Sequence, residues 1–286
     1  MTLSRLARES GISKARLSLW LNGKYIGNNE AVCADLVRWL KSRQAGEGVS
    51  VGVTDWQPTP TGNRILRVLL YAQNGPDMAL IYGGAGVGKT FAARRYQEEN
   101  SNVWLATMTP AVKSVPACLG RVAAALGLSD CPRSAIALEN AIIRRLEGTK
   151  GLLIVDEAQF LSSESLEAVR SLYDASGSGI AFMGNEIIYT RVTGGVRQAQ
   201  FAQLFSRIGF RLRLAEPEQG DVEAILARHG VQDVKMLKLC HGIAKESGAL
   251  RGLCKALRLA ALMVAEDGAD LSPEHVQAAW AELGGK

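Results

Sequence analysis

Only 6% of the 286 residues are aromatic, and the five cysteines are odd in number, scattered and never spaced as CxxC. That pattern excludes a disulfide framework and offers no zinc-site spacing, so Cys33, Cys118, Cys131, Cys240 and Cys254 are expected to be buried thiols. No uninterrupted apolar run approaches the ~18 residues needed to span a bilayer. The start, Met1-Thr2-Leu3-Ser4-Arg5-Leu6, meets charge where a signal peptide needs an apolar stretch. Both absences point to a cytoplasmic protein with no membrane partner. What is present is 47% hydrophobic and 21% charged, the composition of a folded protein, and 286 residues predict two or three domains.

Excess charge is missing from most of the chain. Residues 1–45 hold eight Lys or Arg against three Asp or Glu, whereas residues 46–286 balance at 25 of each. A short segment carrying the whole +5 points to an anionic partner, DNA or RNA before membrane. Residues 46–62 are rich in Gly, Thr and Pro, lack Lys and Arg, and read as a linker. Beyond them short apolar runs alternate with helical periods: Met78–Gly83, Asn102–Met108, Gly151–Glu157, Gly179–Asn185 and Gly209–Leu214. That alternation predicts an α/β domain over 63–216 with a mostly parallel sheet. Residues 217–286 show only helical patterns, including Ala249–Ala265 and a last helix opened by Ser272-Pro273-Glu274, and predict a small helical domain.

Gly83-Gly84-Ala85-Gly86-Val87-Gly88-Lys89-Thr90 fits GxxxxGK[ST] between a strand and a helix, the context a phosphate loop requires. Its glycines let backbone amides wrap a phosphate, and the following helix adds the positive end of its dipole. Lys89 would reach the β- and γ-phosphates of ATP, and Thr90 would hold Mg2+. A dinucleotide-binding GxGxxG fails, because its third glycine falls on Lys89.

The strand Leu152-Leu153-Ile154-Val155 ends in Asp156-Glu157. In a phosphate-loop ATPase Asp156 would bind Mg2+ through water, and Glu157 would act as the base on the attacking water. Asn185, at the end of another apolar strand, is either a contact to γ-phosphate and water or an ordinary turn residue. Arg207 sits between a helical pattern and the last strand, where an arginine supplied to a neighbouring subunit's nucleotide is expected; a surface arginine is the alternative. Arg251 opens a helix of the C-terminal domain, from which it either reaches the γ-phosphate or lies exposed.

The N-terminal run Leu6-Ala7, Gly11-Ile12, Leu17-Ser18, Trp20-Leu21-Asn22-Gly23 resembles a phage-repressor helix-turn-helix. Gly11 would make the turn, Ser13 cap the second helix, and Ile12, Leu17 and Leu21 form the core. Lys14, Ala15, Arg16 and Ser18 then lie at that helix's exposed start, ready for base or phosphate contacts, unless the module docks protein instead.

Phosphate loop, acid pair, strand-terminal Asn, late Arg and helical lid together resemble the AAA+ ATPases. NVWLATMTP (102–110), RRLEGTKGLLIVDEA (144–158), MGN (183–185) followed by TGG, FAQLFSRI (201–208) and GALRGLCKALRLAA (248–261) look like the Mu B transposition protein family of transposable phages. The resemblance covers nearly the whole chain. It implies an ATP-assembled helical filament on double-stranded DNA with low sequence preference, capture of target DNA, and activation of a transposase that in turn stimulates ATP hydrolysis. The slightly acidic residues 217–286 depart from any expectation that the lid holds DNA by bulk charge. In the neutral ATPase domain the candidates for DNA phosphate contact are Lys113 and Ser114, with Arg133, Arg144 and Arg145 behind them. Competing readings are a helicase loader and a helix-turn-helix transcription regulator that binds ATP as a structural ligand. A small-molecule kinase lacks any substrate-pocket signature.

Overall fold

Thr2 and Ser13 each accept a backbone amide three residues on, from Arg5 and Arg16, and so open α1 (Leu3–Ser10) and α2 (Lys14–Leu21). Gly11, left-handed at φ 72°, stops α1. α3 (Asn29–Val49) follows, and Ile12, Leu17 and Val32 form a buried core with Leu6, Ala7 and Trp20 packed against it. Leu21, expected in that core, is 59% exposed. Trp20 takes the position instead: both residues lie within one turn of Leu17, and the larger ring turns inward. Cys33, expected to be buried, is exposed on α3.

The computed structural model describes residues 2–49, 56–128, 134–193, 203–228, 233–267 and 270–285. Compactness divides the chain into two units, Met1–Thr54 with Ala256–Glu282 and Asp55–Lys255 with Leu283–Lys286. The segment read as a linker is shorter than 46–62, since α3 runs through Val49 and α4 (Pro60–Asn74) starts at Pro60. Gly46 and Gly48 each disfavour a helix interior by about 1 kcal/mol, so local composition is overridden there.

The second unit is built on a five-stranded parallel sheet: β1 (Met78–Gly83), β2 (Val103–Thr107), β3 (Leu152–Asp156), β4 (Gly179–Gly184) and β5 (Ile208–Leu214), in the order β2-β3-β4-β1-β5. β1, β3 and β4 are buried along their whole length, as central strands covered on both faces must be. The helices between strands are α5 (Lys89–Glu99), α6 (Val115–Ala125), α7 (Ala135–Leu146), α8 (Ser163–Ser176) and α9 (Glu186–Thr193). Alternate strand residues feed two cores. Leu80, Leu153, Val155, Ile180 and Phe182 meet Leu119, Val122, Ile142 and Val169 of α6–α8 on one face. Ala79, Ile81, Leu152, Ile154 and Ala181 meet Ile65 and Leu69 of α4 and Ala92 and Tyr96 of α5 on the other.

After β5 the chain is helical, as the pattern predicts: α10 (Gln219–Arg228), α11 (Val234–Lys245), α12 (Ala249–Asp267) and α13 (Pro273–Glu282). Asp221 of α10 is fully buried, and its carboxylate accepts from Thr61 N (2.8 Å), Thr61 Oγ1 (2.6 Å) and Glu218 N (2.8 Å). Three donors offset the desolvation of that charge and tie α10 to the start of α4. Burial pushes the Cys118 and Cys240 thiols up to about 12, which leaves them inert. Among the described residues no helix is long and apolar enough to cross a membrane.

Candidate active site

β1 runs out of the core at Gly83 and the chain turns directly into α5, as the strand-loop-helix pattern requires. Packing on both sides makes this loop a cradle. A Cβ on Gly83 would run into the Leu214 carbonyl oxygen, and one on Gly84 would come within 2.6 Å of the Ala215 carbonyl. Gly86 has φ 84° and lies so close to the Gly248 carbonyl that no side chain fits. α5 starts on Gly88 with no side-chain cap, so its first amides remain for an anion.

Lys89 folds back over the loop and donates from Nζ to the carbonyls of Gly83 (3.0 Å) and Gly84 (2.7 Å). Burial lowers its pKa, against the raising influence of Glu157 and Asp156, and Arg251 adds to the lowering. Two neutral carbonyls therefore hold a desolvated ammonium at the loop, and phosphate oxygens would satisfy it better. Thr90, in the first turn of α5, donates from Oγ1 to Oδ2 of Asp156 at 2.8 Å. Asp156 is buried at the end of β3, and burial raises its pKa despite hydrogen bonds from Thr90 and the Glu157 amide. A buried carboxylate with this tendency is better matched by a cation than by a hydroxyl alone. Loop, Lys89, Thr90 and Asp156 thus fit an ATP triphosphate with Mg2+.

Glu157 follows in a left-handed conformation, φ 56° and ψ 36°. Its carboxylate accepts a short hydrogen bond from Nε2 of Gln159, which lies in the 3-10 turn Ala158–Phe160. Gln159 Oε1 accepts the backbone N–H of Asn185 at 3.3 Å. Asn185 itself accepts the Ile187 amide on Oδ1 (2.9 Å), so its carbonyl oxygen serves the turn into α9. The stacked rings of Tyr82 on β1 and Tyr189 on α9, 4.4 Å between centroids, hold that turn beside the phosphate loop. Gln159 carried no signal in the sequence; only its place two residues after the acid pair marks it.

Arg251, in the first turn of α12, is exposed and near enough to Lys89 to lower its pKa, and the Gly248 carbonyl just before this helix lies against Gly86 of the loop. Arg207 is elsewhere: it follows the helical turn 203–206 and donates from Nε to Asp174 of α8 at 2.8 Å. Within one chain it does not join the site.

The DNA candidates are divided. Lys14 and Ala15 are exposed at the start of α2, while Arg16 and Ser18 are half-buried and the Arg16 guanidinium lies 5.3 Å from the Tyr25 ring centre. Lys113 and Ser114 are exposed just before α6, and the Lys113 carbonyl accepts from Ser165 Oγ at 3.2 Å. Arg144 and Arg145 end α7 ahead of β3, whereas Lys113 follows the parallel neighbour β2, so the two lie at opposite ends of the strands. Five strand residues separate the two ends by about 17 Å, so these groups form no single patch. Arg145 also lies over the Trp104 ring, 4.9 Å from its centre. Arg133 lies outside the described residues.

Two family models match: an AAA domain over residues 72–192 and the C-terminal part of the Mu B transposition protein over residues 206–283. The chain is 39% identical over 282 residues to ATP-dependent target DNA activator B of Escherichia phage Mu, covering 99% of this chain and 90% of that protein. It is 35% identical over 253 residues to the Mu-like prophage FluMu DNA transposition protein B of Haemophilus influenzae, covering 88% of each. Among solved structures, the Aeropyrum pernix ORC2 protein aligns with a TM-score of 0.59 at 21% identity, covering 80% of this chain and 70% of that one. Thermotoga maritima RuvB aligns with a TM-score of 0.51 at 19% identity, over 77% and 67%. These likenesses show a shared fold, and with the sequence relationships they place the chain in the Mu B transposition protein family, built on an AAA ATPase domain.

Proposed function

We propose that this protein is an ATP-dependent, largely sequence-nonspecific DNA-binding ATPase that captures double-stranded target DNA and activates a transposase. One observation carries the reading: Lys89, Thr90, Asp156 and Glu157 surround a single phosphate cradle in a chain 39% identical over 99% of its length to a protein named ATP-dependent target DNA activator. Bound ATP with Mg2+ supplies a γ-phosphoryl group for transfer to water, which yields ADP and phosphate.

Lys89 exchanges its two carbonyl partners for β- and γ-phosphate oxygens. Thr90 and Asp156 hold Mg2+, and the carboxylate of Glu157 takes the proton of the attacking water. Asn185 and Arg251 orient the γ-phosphate end. Arg207 acts on the site of the next subunit in an ATP-dependent helical assembly. Residues 1–45 form a helix-turn-helix domain that adds DNA contacts through Lys14, Ala15, Arg16 and Ser18. The ATPase core over 63–216 adds Lys113 and Ser114, and 217–286 act as a lid. Weak contacts of this kind multiply along a duplex when subunits repeat.

The test separates binding from turnover. Lys89→Ala should lose ATP binding and ATP-dependent DNA binding together. Glu157→Gln should bind both and reduce hydrolysis by about 10²-fold or more. Filaments on DNA in negative stain, and stimulation of a transposase by the parent and not by Lys89→Ala, complete it; co-purification with a helicase instead would support a loader.

A further inference from the structure

Gln159 is 8% exposed, and both ends of its amide are used: Nε2 donates to Glu157 Oε2, and Oε1 accepts the N–H of Asn185. The end of β4 is shaped around it. A Cβ on Gly184 would lie 2.5 Å from Gln159 Oε1, so the glycine before Asn185 is the residue that leaves room for this amide. Arg191 of α9 donates from Nη1 to the carbonyls of Gln159 (2.9 Å) and Leu161 (2.8 Å), fastening the 3-10 turn to the helix that Asn185 opens. The chain from the acid pair to the strand-terminal Asn is therefore continuous: Glu157, Gln159, Asn185, α9, and back through Arg191.

A carboxylate intended as a base has two failures open to it. Left free, it samples rotamers that do not face the water. Held by a strong cation, it loses basicity. A neutral amide avoids both, because it fixes one carboxylate oxygen with a single hydrogen bond and leaves the other free. We infer that Gln159 is the positioning residue of the hydrolytic site, holding the Glu157 carboxylate in register with Asn185 so that the base and the γ-phosphate contact move as one unit. The inference rests on the hydrolysis reading above. Gln159 acts through the two groups its amide meets, the Glu157 carboxylate and the Asn185 N–H.

Four variants test it in the full-length protein. Gln159→Ala should lower kcat by about tenfold, the loss expected from one hydrogen bond to a charged group, with KM for ATP changed less than about twofold. Gly184→Ala should show the same split, because its methyl displaces the amide. The double variant should be no worse than either single, since both remove the same contact. Gln159→Glu supplies a readout that a merely structural role would not move. Its ionised carboxylate repels Glu157, but once protonated it can donate to Glu157 and accept from Asn185 as glutamine does. The ratio of its kcat to that of the parent should therefore rise as pH falls, while the ratio for Gln159→Ala stays flat. Additive losses in the double variant, or parallel pH profiles for Gln159→Glu and Gln159→Ala, would overturn the assignment. Glu157→Gln measured alongside keeps the two claims apart: if it hydrolyses ATP at the parental rate, the base assignment fails; if it is inactive while Gln159→Ala matches the parent, only the positioning role fails.

Discussion

The hydroxyl of Thr90 donates to Oδ2 of Asp156 at 2.8 Å, joining the first turn of α5 to the end of a strand two places away in the sheet. β4 lies between β1 and β3, so residues 66 positions apart in sequence meet only because the strand order reverses there. Such a reversal is where parallel α/β sheets open a crevice for ligands at the strand ends.

The same pair predicts a pH dependence. Burial raises the Asp156 pKa, so the folded protein without nucleotide is penalised for its ionisation. A carboxyl raised in this direction favours folding below its unfolded pKa, and that contribution is lost as pH rises through the folded value. Asp156→Asn should then melt at a higher temperature than the parent near pH 7, because its amide can accept from Glu157 N and donate to Thr90. The gap should close in the acid range where Asp156 is protonated. Addition of Mg2+ and ATP should raise the melting temperature of the parent more than that of the variant. A variant that melts lower at pH 7 would show that the carboxylate contributes more than burial costs it.

Arg207 predicts a shared site. Its pair with Asp174 is 39% and 35% exposed, and a partner of that kind contributes about 1 kcal/mol or less, so leaving it for a neighbour's phosphate is permitted. Asp174 is not stranded, since Arg170 also reaches it. Arg207→Ala should bind ATP normally as an isolated subunit and hydrolyse poorly when assembled. Mixing it with Glu157→Gln should restore part of the turnover, because that variant still binds ATP, assembles and supplies Arg207. No recovery at any mixing ratio would place Arg207 outside the mechanism.

The sequence showed what is local and missed what depends on distant packing. The phosphate loop was legible because eight consecutive residues carry it, and the strands because buried parallel strands are continuous apolar runs. Gln159 was not, since its meaning lies in Asn185, 26 positions on. Leu21 and Trp20 both satisfy a helical period from Leu17, and only the packing beneath α3 decides between them. Arg145 reads as a solvated helix face until β2 brings Trp104 under it.

For the N-terminal domain the sharpest candidate is Lys14, exposed in the first turn of α2. A phosphate contact there releases about one counterion. Lys14→Ala should therefore weaken DNA binding similarly for unrelated sequences and reduce the slope of log K against log salt by about one. An unchanged slope would favour protein docking by this module.

Lys113 and Arg145 can be told apart by what each is attached to. Lys113 is exposed at the strand ends that carry the phosphate loop, its backbone fixed by the buried Ser165 just before α6, so it can meet a phosphate without losing a partner. Arg145 has one already, the Trp104 ring, and that ring is almost fully buried. Removing Lys113 should act on DNA: Lys113→Ala should bind duplexes more weakly across unrelated sequences, with ATP affinity and melting temperature unchanged. Removing Arg145 should act on the fold: Arg145→Ala should lower stability by about 0.5–1 kcal/mol by uncovering Trp104, with little change in the salt slope of DNA binding. Filter binding across a salt titration and thermal melting of both variants check this. A Lys113→Ala protein that holds DNA as tightly as the parent, beside an Arg145→Ala protein that does not, would move the DNA contact to the opposite end of the strands.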